Sequence, residues 1–81
     1  MNTLAIELHP QAQDVRCTDN AIVVDLVDGR TISAPLIWFP RLSGASQGQL
    51  NNWELLGDGE DIHWPDLDED LSVAGLLVGA H

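Results

Sequence analysis

Apolar and polar positions alternate most regularly over Ile22-Val23-Val24-Asp25-Leu26-Val27-Asp28-Gly29-Arg30-Thr31-Ile32-Ser33-Ala34, two β-type runs around an Asp-Gly step. The pattern predicts a β-hairpin. A two-residue Asp28-Gly29 loop would oppose Leu26 to Thr31 and Val24 to Ser33, mixing apolar and polar side chains on one face. A three-residue Val27-Asp28-Gly29 loop with Gly29 left-handed in a bulge instead opposes Leu26 to Arg30, Val24 to Ile32 and Ile22 to Ala34. The apolar positions then share one side, which is the expected core face. Upstream, Val15-Arg16-Cys17 alternates as a short strand, joined to the hairpin by an Asp19-Asn20 turn, so three antiparallel strands result.

Pro35 ends this sheet. Pro35-Leu36-Ile37-Trp38-Phe39-Pro40-Arg41-Leu42 is the most apolar segment of the chain, but its prolines leave room for no more than about a turn of helix. Ser46 and Gln49 have capping-box spacing and predict a short helix over residues 47–52, weakened by Gly48. Trp53-Glu54-Leu55-Leu56 and Ile62-His63-Trp64, separated by Gly57-Asp58-Gly59, read as two further extended segments. Ser72 caps a predicted helix over residues 71–78, with Asp68, Glu69 and Asp70 before its positive end. The sum is an α+β domain. Its antiparallel sheet is a three-stranded meander plus one or two short strands, with two short helices packed on one face.

With 81 residues the chain is one small domain, read as an N-terminal extension over residues 1–13 followed by a single α+β domain over residues 14–81. Hydrophobic residues are 44% of the chain and charged residues 20%, a globular balance. A domain of this size buries only about 60% of its unfolded surface, so it gains much from dimerisation or a bound partner. Size alone admits a homodimer and assigns it no edge.

Thirteen acids face three Arg, with no Lys, for a formal net charge of −10. Such a chain is repelled by phosphates, which argues against direct binding to nucleic acid and against anionic membranes. The imbalance is concentrated: residues 42–81 carry eight acids and no Lys or Arg. That half is an anionic surface suited to a cationic partner, with solubility as the plainer reading of the same charge. The N-terminus has no secretory pattern, and the apolar stretch near Leu71 is too short to cross a membrane, so a cytoplasmic location is expected.

Catalytic constellations are weak. Cys17 is alone, which excludes an intramolecular disulfide or a cysteine-built zinc site. Asp66, Asp68 and Asp70 alternate like calcium ligands, but Leu71 and Leu77 stand where such a loop needs Gly and Glu. No metal or cofactor is expected. Eight acids between Glu54 and Asp70 make some carboxylate pairing inevitable, so it carries no acid–base signal. His63 between Ile62 and Trp64 reads as a structural histidine rather than a general base. Gly57-Asp58-Gly59 lacks the following Lys of a phosphate loop. No enzyme and no catalytic residue are expected.

Trp38, Phe39, Trp53 and Trp64 are all the aromatic residues, and a domain this small needs most of them in its core. Trp is also enriched at binding hot spots, which makes Trp38 and Arg41 candidates for a partner contact. Taken in order, Asp28-Gly29-Arg30, Pro35-Leu36, Trp38-Phe39-Pro40-Arg41-Leu42, Asn52-Trp53-Glu54-Leu55, Ile62-His63-Trp64-Pro65 and Leu67-Asp68-Glu69-Asp70-Leu71-Ser72-Val73 resemble the bacterial family known as domain of unknown function 2442, over roughly residues 14–79. The resemblance implies a compact α+β domain, commonly encoded beside a second small protein in arrangements that look like toxin–antitoxin pairs. It implies no established activity. Longer members look as if they append a helix-turn-helix domain; no such segment is seen here, so a direct regulator role is not expected.

Two functions follow as expectations. The first is a non-enzymatic, antitoxin-like protein-interaction module that binds and masks a small basic protein. The second is a nucleic-acid-mimicking inhibitor of a nucleic-acid-binding complex. Both would use Asp58, Glu60, Asp61, Asp66, Asp68, Glu69 and Asp70, joined in the first by Trp38 and Arg41.

Overall fold

The structure, a computed structural model, describes residues 10–79. Most of the expected N-terminal extension, residues 1–9, and the last two residues lie outside that range. The described residues form two three-stranded antiparallel sheets, β1 (Ala12–Cys17), β2 (Ala21–Leu26) and β3 (Thr31–Pro35), then β4 (Glu54–Leu56), β5 (Asp61–Trp64) and β6 (Glu69–Ser72). Three short helices, α1 (Pro40–Ser43), α2 (Gln47–Asn51) and α3 (Val73–Leu77), complete the α+β domain. Among the described residues no helix is long and apolar enough to cross a membrane.

The β2–β3 hairpin forms in the expected register, Val24 opposite Ile32 and Ile22 opposite Ala34. Gly29 has φ +99°, and the Leu26 N–H donates to the Arg30 carbonyl at 2.8 Å, closing the three-residue loop. Asp28 holds the loop from outside, accepting from the Arg30 backbone N–H at 3.0 Å and from Arg30 Nε at 2.8 Å. β1 reaches farther upstream than Val15-Arg16-Cys17. An irregularity between Ala12 and Asp14 lets Ala12 turn inward although the strict alternation is broken there.

Ser46 and Gln49 form the predicted capping box, each side chain bonding the other's backbone N–H, and α2 follows. The Leu36–Trp38 segment makes a 3-10 turn, and Pro40 opens α1 at a position where its missing N–H costs nothing. The final helix begins two residues later than expected. Ser72 does cap it, accepting from the Gly75 N–H at 3.2 Å, but Glu69 and Asp70 are strand residues of β6 rather than a helix approach. The expected sheet of one meander with one or two extra strands is therefore two complete meanders, and a third helix, α1, joins the expected pair.

The core lies between the sheets and the helices. Val15, Cys17, Ile22, Val24 and Leu26 come from the first sheet, Ile62, Trp64 and Leu71 from the second, and Leu42, Leu50, Val73 and Leu76 from the helices. Trp64 is fully buried, and its Nε1 donates to the Leu50 carbonyl at 3.0 Å, so its one polar atom is satisfied inside the core. Trp53 packs half-buried on the rim.

Candidate functional site

The second sheet buries one face and exposes the other. Leu55, Ile62 and Leu71 stand opposite one another in β4, β5 and β6 and point into the core. Side chains one position along turn outward. The register therefore places Glu54, His63 and Asp70 in one cross-strand row on the outer face, and Leu56, Asp61 and Ser72 in the next. Glu54 and Asp70 thus flank one imidazole, with Asp61 in the neighbouring row of the same face.

His63 Nδ1 and Asp70 Oδ1 are 2.5 Å apart, with the His63 side chain 24% exposed. The hydrogen bond to Asp70 holds the imidazole above its ordinary value; partial desolvation opposes that rise, and the charges of Asp70, Glu54 and Asp68 reinforce it. The protonated form of His63 is thus favoured among these carboxylates. His63 bonds Asp70, and among the described residues no group of three or more His, Cys, Asp and Glu is placed to hold a metal ion.

The remaining predicted acids flank this face. Asp58 and Glu60 occupy the β4–β5 connection, where Asp58 adopts φ 59°. Asp66 and Asp68 occupy the β5–β6 connection: Asp66 accepts from Asn52 Nδ2 at 3.1 Å, and Asp68 has φ 51°. Left-handed backbone of this kind is tolerated by Asp better than by most residues. Glu69 opens β6 opposite Trp64, on the other side of the sheet from Asp70. The structure thus brings Asp61 and Asp70 onto one face, places Asp58, Glu60, Asp66 and Asp68 at the turns that bound it, and sets Glu69 apart.

Trp38 lies in the 3-10 turn, 36% exposed, its ring edge-to-face with Phe39 at 6.4 Å between centroids. Arg41 projects from α1 to the β5–β6 turn. Its Nη1 donates to the Asp68 carbonyl at 2.9 Å and the Leu67 carbonyl at 3.4 Å, and lies 3.9 Å from the Asp68 carboxylate. Arg41 is therefore a staple that holds the Trp38-bearing segment beside the acidic turn.

Sequence reasoning missed Glu54 and His63 as members of this surface. Alternation along β4 and β5 carries both outward, but only the cross-strand register shows that they meet Asp70. Elsewhere, an open cleft of about 570 Å³ runs beside the end of β3, lined by residues that include Asp19, Ala21, Ser33, Pro35 and Ile37. It shares no residue with the carboxylate face.

The family model described as a protein of unknown function, DUF2442, matches residues 12–81. A solved structure of a protein of unknown function from Rhodospirillum rubrum is similar at a TM-score of 0.77 and 40% identity, with 88% of each chain covered. No curated protein matches the chain.

Proposed function

The chain belongs to the DUF2442 family of proteins of unknown function, and from that premise we propose that it is a non-enzymatic, antitoxin-like interaction module that binds and masks a small basic protein. The observation that carries the reading is the outer face of the second sheet. Glu54, Asp61 and Asp70 share that face, Asp58, Glu60, Asp66 and Asp68 bound it, and residues 42–81 contribute no Lys or Arg to offset them. A concentrated anionic surface on a rigid sheet steers a cationic partner and fixes its register. Trp38, held beside the acidic turn through Arg41, supplies the aromatic contact at one side. The partner acts in the cytoplasm, where the module covers its working surface.

A nucleic-acid mimic would use the same carboxylates. That reading is the weaker one, because the Arg41 guanidinium and the His63 ring interrupt the carboxylates where a phosphate backbone would present charge of one sign.

The test is capture by the tagged protein, after nuclease treatment and through a salt series, with the Glu54→Gln, Asp61→Asn, Asp70→Asn triple variant alongside. A single small basic protein held by the parent and lost by a folded triple variant supports the masking module. A large nucleic-acid-handling complex released as salt rises supports the mimic, and equal capture by both proteins removes the carboxylate face from the interaction.

A further inference from the structure

Imidazole is the side chain whose ordinary titration falls between about pH 5 and 8, and His63 is the one histidine among the described residues. It stands at the centre of its row. Glu54 on β4 and Asp70 on β6 lie opposite it on either side, and Asp61 lies two residues along β5 on the same face. Asp68 faces it from the β5–β6 turn, with Arg41 bonded to the Asp68 carbonyl behind. Asp58 and Glu60 lie in the β4–β5 connection, whose Gly57–Gly59 turn packs against β5.

The His63–Asp70 bond ties one carboxylate of the face to the ring. The Asp70 side chain is nevertheless 67% exposed, so an arriving cation can reach the same group. With the ring protonated, Asp70 is already compensated, and the added positive charge opposes a basic partner across strands only about 5 Å apart. With the ring neutral, that charge is gone and Asp70 presents its own outward. The bond to Asp70 holds the imidazole above its ordinary value of 6.5, which carries the change of charge upward toward the neutral range.

We infer that the Glu54–His63–Asp70 row makes the carboxylate face a proton-governed clamp, which grips its basic partner as pH rises and loosens it as pH falls, with His63 as the titrating group. Partner and proton are alternative cations for one set of carboxylates, so each weakens the other by the same factor. The inference rests on the masking reading and adds to it the condition under which the mask lifts.

The test is calorimetric binding of octalysine to the whole protein at about pH 5.5 and about pH 8.5, at one ionic strength. His63→Gln and the Glu54→Gln, Asp61→Asn, Asp70→Asn triple variant are measured alongside, with circular dichroism as the check on folding. Asp61→Asn alone replaces the triple variant if that one does not fold. His9 and His81 are present in every protein, so a difference in pH dependence between the parent and His63→Gln belongs to His63. The parent is expected to bind about three- to tenfold more tightly at the higher pH, and His63→Gln to lose that difference. An NMR titration of the His63 ring gives the reciprocal reading and decides alone if His63→Gln is unfolded: octalysine should lower the ring's midpoint by about 0.5–1 pH. No binding, or equal binding by the parent and the folded carboxylate variant, would overturn the masking reading and this inference with it. Carboxylate-dependent binding that ignores pH, a pH dependence undiminished in His63→Gln, or a ring midpoint that octalysine leaves in place or raises would overturn this inference alone.

Discussion

Gly59 packs against Ala12 so closely that any side-chain carbon on residue 59 would collide with the Ala12 backbone, its carbonyl oxygen first. Gly59 also has φ +91°, a conformation that side chains resist. This contact is where the turn of the second sheet meets the first strand of the other. Gly59→Ala is expected to destabilise the fold by more than about 2 kcal/mol, since the obstacle is backbone and cannot rotate away. Gly29→Ala, with φ +99° but open space around it, should cost about 1 kcal/mol. Urea denaturation followed by tryptophan fluorescence separates the two.

The His63–Asp70 pair sets a pH dependence. The folded imidazole titrates above its ordinary value of 6.5. Its contribution to stability is therefore fully present below pH about 6.5 and is lost as pH rises through the raised folded value. Asp70→Asn should return the imidazole toward its ordinary value and flatten the stability profile in that window. An NMR titration of the His63 ring, parent against variant, reads it directly; an unchanged ring titration would contradict the assignment.

Asp28 acts at the other end of the pH scale. The Arg30 side chain, by its hydrogen bond, holds the Asp28 carboxyl below its ordinary value of 3.8. The associated stability is present above about pH 3.8 and disappears as pH falls through the lowered folded value. Asp28→Asn should remove this acid-side component while the hairpin persists, because Gly29 still supplies the turn. Thermal melts between pH 2 and 5 of the two proteins, with ~0.5 unit steps, make the comparison.

Trp64 is the largest fully buried side chain. Trp64→Phe leaves the Leu50 carbonyl without its donor and a small void where the indole nitrogen ring stood. A loss of about 1–3 kcal/mol is expected, against about 3–5 kcal/mol for Trp64→Ala. Chemical denaturation monitored by circular dichroism checks the order of the two.

Cys17 is buried, and desolvation pushes its thiol up, so it stays protonated and inert. Reaction with a thiol reagent at neutral pH should be slow in the native protein and fast in denaturant. Rapid native labelling would show that the first sheet opens beneath α2.

The hairpin was legible because two independent signals agreed, the period-two apolar pattern and the Gly29 turn, and only one loop length satisfied both. The α2 capping box was legible because its two partners lie within one turn. β6 was not: Leu71 is its one buried residue, and Glu69 and Asp70 beside it resemble the acidic approach to a capped helix. Its strand character comes from pairing with β5, which no local pattern announces. The same holds for the carboxylate row. Glu54, His63 and Asp70 were visible as polar residues, but their meeting depends on the register of three strands. The Arg41 staple was the least legible, since its acceptors are backbone carbonyls, which every sequence offers everywhere.

Each half of the chain contributes a sheet, yet neither could close its own interior. The turn at Gly59 lies against β1, α3 packs against β3, and Trp64 hands its hydrogen bond to α2. A break of the peptide chain at the exposed Gly44, ahead of core-packed Ala45, should accordingly leave two pieces that are disordered apart and recombine when mixed. That behaviour would make the domain a natural frame for split reporters, in which reassembly itself is the signal.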